Sequence, residues 1–320
     1  MACALLSGGI AAQTFDLEQL EQVFRPRLRL DARYQAEAAF MDTTGRLGLV
    51  EGVAAATFPV RSRFGVGLRP DTAAQGLKEL LANSIRVEAS QLLVSARFGT
   101  RSMRLGFEGP GGRRLHTASA GLLGVRLTRR CRVLFWSANA NASEEERTLG
   151  AAVPRFNSMV GKLRVRGLRR QFFYGMALSL TDGLVLPMPF LGGTAPLGGN
   201  WSFNYVLPAQ VYVGYRPKAG TRLNLGLTAD GFRSGMEWHG ARVNVNHGQL
   251  RVFAHARHRI NKTLQVRVEA GWALAQTVRL TGADRGPARF PAADAFGIGA
   301  GVNILFGRGV LERLLDEVLR

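Results

Sequence analysis

Thirteen consecutive residues, Leu28 to Phe40, alternate between apolar and polar side chains with a period of two. Leu28, Leu30, Ala32, Tyr34, Ala36, Ala38 and Phe40 share one face, and Arg29, Asp31, Arg33, Gln35 and Glu37 share the other. Successive side chains of a β-strand point to opposite faces, so this pattern specifies a strand with one apolar and one charged side. It exceeds the length of an ordinary soluble strand, about 5–6 residues. A strand tilted across a bilayer needs about 9–11 residues plus its ends, and the segment fits that requirement.

The pattern recurs. Leu223, Leu225, Leu227 and Ala229 oppose Arg222, Asn224, Thr228 and Asp230, and Leu250, Val252, Ala254 and Ala256 oppose Arg251, Phe253, His255 and Arg257. Leu264, Val266, Val268, Ala270, Trp272 and Leu274 oppose Gln265, Arg267, Glu269 and Gly271, and Phe296 to Phe306 alternates against Gly297, Gly299, Gly301 and Asn303. Weaker strand patterns lie at 46–58, 85–98, 101–108, 115–127, 131–142, 160–168, 171–181 and 203–216, with a phase slip near Gln91-Leu92 that suggests a bulge. Turn residues separate them, as at Thr43-Thr44-Gly45, Thr181-Asp182-Gly183 and Asn261-Lys262. No helices alternate with the strands, which excludes a parallel α/β sheet. Lipid cannot satisfy an open strand edge, so a spanning sheet must close. The expected fold is an all-β, antiparallel, up-and-down transmembrane β-barrel of about 12 strands, within a range of 10–14 and even in number. A soluble barrel is the competing fold. Strand length, arginine along whole polar faces, and Trp136, Trp201, Tyr205, Tyr215 and Trp238 near strand ends favour the membrane form.

The remaining chain divides around this barrel. Residues 1–12 (MACALLSGGIAA) resemble the apolar part of a signal peptide without its basic start, and 13–27 form an N-terminal periplasmic segment with a short helix over 15–24. The barrel runs over 28–307, with a short helix expected at 71–83, and 308–320 form an amphipathic helix whose stripe includes Leu311, Leu314, Leu315 and Val318. Cys3 and Cys131 give no disulfide framework.

Composition removes several function classes. Mean hydropathy is 0.00, and no apolar run reaches the roughly 20 residues of a spanning helix. Lys+Arg is 42 against Asp+Glu 23, a net charge of +19. A nucleic-acid binder concentrates such charge in a patch or tail. Here the arginines are dispersed from Arg25 to Arg320, many at alternate positions within strands, so nucleic acid is not an expected partner. Arg29, Arg33, Arg164, Arg166, Arg222, Arg251, Arg257 and Arg267 are expected to line the lumen, with Asp31, Glu37, Asp230 and Glu269 on the same faces. Such a lining makes either a salt-bridge lattice filling a narrow barrel or an anion-favouring pore. No enzyme and no cofactor are expected. His255 and His258 fall on opposite faces of a strand and cannot share a metal. The best hydrolase trio, Ser234, His239 and Asn244, is a grouping that chance supplies in a chain of this length. The alternatives are a soluble or periplasmic barrel that binds an anionic ligand, and a barrel hydrolase.

The segments FFYGMALSL (172–180), LPMPFLGG (186–193), NWSFNYVLPAQVYVGYRP (200–217) and LGLTADGFRSGMEW (225–238) resemble an uncharacterised family of Gram-negative outer-membrane β-barrel proteins, a domain of unknown function. The resemblance implies a fold and an outer-membrane location, not an activity. The strand ending at Phe306 is similar to the terminal signal read by the barrel-assembly machinery, although a helix is expected after it. Outer-membrane lipid and that machinery are the implied partners; oligomeric state stays open.

Overall fold

A computed structural model describes residues 25–68, 85–106, 112–128, 132–148, 152, 154–165, 170–181, 184–282 and 288–307. The leader, the helices expected at 15–24, 71–83 and 308–320, and Arg166 lie outside the described residues. The strands are β1 (Arg27–Ala39), β2 (Arg46–Leu68), β3 (Ile85–Leu105), β4 (Arg113–Thr128), β5 (Arg132–Glu145), β6 (Arg155–Val165), β7 (Gln171–Thr181), β8 (Leu184–Gly198), β9 (Trp201–Leu207), β10 (Gln210–Lys218), β11 (Thr221–Trp238), β12 (Ala241–Arg259), β13 (Leu264–Gly282), β14 (Ala288–Ala292) and β15 (Ala295–Leu305).

Each strand pairs antiparallel with the next through β13, and β1 pairs with β15 from Arg27↔Leu305 to Gln35↔Gly297, which closes the sheet on itself. β14 and β15 both pair with β13, at Gln276↔Ala292 and Ala273↔Ala295, so they form one interrupted stave. The barrel therefore has fourteen staves, at the upper end of the expected range. Three differences give this number. The patterns at 85–98 and 101–108 belong to one strand, β3; the pattern at 203–216 is the β9–β10 hairpin; and β8 had no counterpart among the expected strands.

Closure makes inside and outside physically distinct. The outer surface is a belt of exposed apolar side chains, among them Leu225 (61%), Val268 (57%), Phe58 (52%) and Ile298 (50%). Such a continuous apolar patch is far larger than soluble monomers expose. Trp201 and Tyr215 lie together at the end that carries the termini, ring centroids 4.6 Å apart.

At the opposite end the long strands fill the lumen with an apolar core. Leu47, Met103, Met236, Val245 and Val278 are 0% exposed, and Phe40, Leu105 and Leu115 pack with them. Bulges make this core. In β1 the register with β2 shifts between Gln35 and Ala38, which turns Ala38 inward with Phe40. The irregularity expected at Gln91–Leu92 sits on the neighbouring strand, between Pro59 and Arg61 opposite Leu92–Leu93. At this end β5 also meets β11 across the barrel, Gly235 pairing parallel with Glu144. Ser143 donates to Ser234 Oγ at 3.0 Å within that contact.

Candidate functional site

The candidate site is the lumen between the termini and this apolar core. Register fixes its lining, because residues directly opposite across a ladder share a face. One row runs Arg33, Glu51 and Arg101 across β1 to β3. Another runs Asp31, Val53 and Gly99. On β11 to β13, Arg222, Arg257 and Arg267 form one row and Asn224, His255 and Glu269 the next. Gly299 and Gly301 of β15 continue these rows to Arg33 and Asp31.

Ion pairs tie the rows together. Asp31 bridges Arg29 and Arg267. Arg33 Nη1 donates to Asp230 Oδ2 at 2.7 Å, and the Gly231 amide donates to Asp230 Oδ1 at 2.7 Å. Arg101 donates to Glu51 Oε1 at 2.5 Å, with Arg97 at 3.9 Å from the same oxygen. Arg251 pairs with Glu269. Above this lattice the Arg101 guanidinium lies 3.8 Å from the Phe232 ring centroid, so a cation–π contact joins the charged layer to the apolar core. A cavity of about 20 Å³ lies among Arg33, Glu51, Arg101, Asp230 and His247, which is room for about one water molecule.

The sequence-expected lining separates into three groups. Arg29, Asp31, Arg33, Arg222, Asp230, Arg251, Arg257, Arg267 and Glu269 lie on the inward rows. Glu37 departs from expectation. The bulge in β1 turns it outward, where its carboxylate lies 3.4 Å from Arg104 and 4.0 Å from Arg46. Arg164 departs as well. Leu163 is the inward residue of that pair, 1% exposed against Phe135 and Phe173. Arg164 and Lys162 therefore face outward at the terminal end, as do the exposed Arg61, Arg63 and Arg126. Long basic side chains in such a rim reach past an apolar belt to water and headgroups. Glu51, Arg97 and Arg101 were not anticipated as lining. Their signal was present, since Arg97, Gly99 and Arg101 alternate with Ala96, Phe98 and Thr100.

The other side of the lumen carries an apolar cluster below Arg155. Phe135, Leu163 and Phe173 are buried on β5 to β7, with Met159, Phe190 and Val206 packed around them. Their rings meet at 6.2–6.5 Å between centroids. They lie over glycine: a Cβ on Gly161 would stand 2.5 Å from Phe135 Cζ, and one on Gly192 would stand 2.1 Å from Phe173 Cζ. The lumen cross-section therefore has a cationic wall on β11–β13, β15 and β1–β3 and an aromatic wall on β5–β9.

The hydrolase trio is not assembled. Ser234 pairs in register with Val245 and is buried inward, Asn244 is on the other face, opposite Gly235, and His239 sits in the turn against Trp238. Among the described residues no group of three or more His, Cys, Asp and Glu side chains is placed to hold a metal ion.

No family model matches this chain, and no curated protein matches it. Solved structures similar to it include the COG4313 outer membrane channel from Pseudomonas putida F1, at 9% identity and a TM-score of 0.47, covering 88% of this chain and 96% of that one. The toluene transporter TodX of P. putida is similar at 9% identity and a TM-score of 0.32, covering 94% and 95%. The translocator domain of the autotransporter NalP from Neisseria meningitidis is similar at 7% identity and 0.33, covering 88% of each chain.

Proposed function

We propose that this chain is a non-enzymatic outer-membrane β-barrel whose lumen is a narrow, anion-favouring passage. One observation carries the reading: the closed sheet has an apolar exterior belt around an interior whose terminal half presents Arg29, Arg97, Arg222, Arg257 and Arg267 against Asp31, Glu51 and Glu269 among the described residues. Fixed positive charge in a low-dielectric wall raises local anion concentration and repels cations. The exterior belt disfavours the soluble anion-binding barrel, which would expose it to water.

The barrel sits with its termini toward the periplasm, following the orientation of single-chain outer-membrane barrels. The apolar core then lies at the outer side, and the passage is closed there at rest. That core is the observation favouring a second reading, a purely structural barrel. Reconstitution into planar bilayers under a KCl gradient separates the two. The pore reading expects small conductance steps with a reversal potential on the chloride side, and Arg257→Glu with Arg267→Glu moves it toward potassium. Cation preference in the unmodified protein overturns the reading. A protein that is folded by heat-modifiable gel mobility yet never conducts is the structural barrel.

A further inference from the structure

Among the described residues, strand pairing is interrupted on one side of the barrel. β8 pairs with β7 along its length, from Gln171↔Thr194 to Thr181↔Leu184, but with β9 only from Leu191 onward. β11 pairs with β10 only from Thr221 to Thr228. The β9–β10 hairpin turns back at Pro208 and Ala209, so no described strand stands between Leu184–Phe190 and the stretch of β11 beyond Ala229. The slot has a floor, where the Ala229 amide donates to the Ala209 carbonyl at 2.8 Å. It has a roof, where Arg155 Nη1 donates to the Arg233 carbonyl at 2.7 Å, just below the β5–β11 contact. Three residues of β11, Asp230 to Phe232, lie between them, and the four steps from Ala229 to Arg233 span about 13 Å of strand.

An unpaired edge invites another strand, and native sheets block such edges with proline. Pro187 and Pro189 occupy this segment of β8, removing two ladder donors where one neighbour is missing. The sequence thus keeps the slot from being sealed by strand addition. Behind the slot, Phe190 turns inward onto Phe135 and Phe173, centroids 6.2 and 6.3 Å away. At the β11 edge of the slot Asp230 holds Arg33, and on the neighbouring strand β12 Arg251 pairs with Glu269.

We propose that this slot is a binding port for amphipathic carboxylates, entered from the lipid side, with the hydrocarbon part on the phenylalanine wall and the carboxylate on the arginines. The proposal rests on the membrane placement and basic lumen argued above. An inorganic anion has no use for an aromatic wall behind a lipid-facing slot, and a neutral hydrocarbon has none for the arginines. A medium-chain aliphatic acid satisfies both.

The full chain in lipid nanodiscs is titrated with 11-(dansylamino)undecanoate, whose fluorescence rises in apolar surroundings, with empty nanodiscs as the blank. Decanoate should displace the probe at least tenfold more effectively than butyrate or decanol. Phe190→Asp should weaken probe binding at least tenfold with heat-modifiable mobility retained; Leu186→Asp serves if that variant does not fold. Lipids carrying a mid-chain nitroxide should quench the displaceable signal, because the tail stands in an open wall. Equal displacement by butyrate means a plain anion chamber and overturns the port while leaving the pore reading intact. Equal displacement by decanol, absence of a displaceable signal, or a signal that the lipid nitroxide does not quench also overturns it. The chloride reversal potential is measured separately, so the failure of the pore reading is distinguishable from the failure of the port.

Discussion

The two walls of the lumen fill the same space with opposite chemistry. On β11–β13, β15 and β1–β3, Arg33, Asp230, Arg101, Glu51, Arg251 and Glu269 pair across strands, and glycines of β15 leave room for them. On β5–β9, Phe135, Leu163 and Phe173 close over glycine with no charge among them. The first wall is made of part-buried ion pairs, in which the cost of desolvating two charges largely offsets their attraction. The second is made of close packing, where each deleted methylene leaves a void. Stability should therefore reside in the aromatic wall and selectivity in the cationic one.

Substitutions can break that division. Phe173→Ala should be the most damaging, at about 3–5 kcal/mol, since it removes a buried ring from a packed cluster; urea unfolding followed by tryptophan fluorescence in micelles measures it. On the exterior of the cationic side, Val268→Arg should cost about 2–4 kcal/mol if the residue lies at the bilayer midplane. Arg267→Ala, one residue away and facing inward, should cost far less, and equal losses would sink the assignment of inside and outside. Gly192→Ala should cost about 1–3 kcal/mol by overpacking, because the new methyl meets the Phe173 ring and the Tyr205 carbonyl oxygen, 2.7 Å away. Arg33→Ala should be mildest, about 1 kcal/mol or less, while lowering chloride preference in the bilayer. If Arg33→Ala destabilises as much as Phe173→Ala, the two walls do not divide labour as described.

The same contrast explains what the sequence revealed. Strand detection rested on apolar and polar residues alternating, which requires the two faces to differ. β1, β11, β12 and β13 line the cationic wall and stand out for that reason. β8 does not alternate, because Leu186, Met188 and Phe190 face an apolar interior while Val185 and Leu191 face the apolar exterior. Its prolines further disguise it as a loop. In β6 the contrast is inverted, so a rule of polar-inward placed Arg164 on the wrong side of Leu163. Glu37 shows a different limit: a single bulge between Gln35 and Ala38 reverses every later side chain in β1, and such a bulge depends on partners in β2. Pro208 lies in the turn that splits 203–216, and the uninterrupted apolar pattern around it read as one strand.

The pairing of β1 with β15 joins Arg27 to Leu305, so the first and last strands meet at the seam. A chain emerging from its N-terminus cannot seal this sheet until its final strand has been delivered. Contacts so distant in sequence form late and slowly, and until then β1 presents a bare edge open to pairing with any other chain. The finished barrel hides this hazard completely, but a molecule interrupted shortly before residue 295 would carry β1 to β14 and no means of closing them. Quality control therefore has a simple mark to recognise: an unclaimed first strand identifies every incomplete copy.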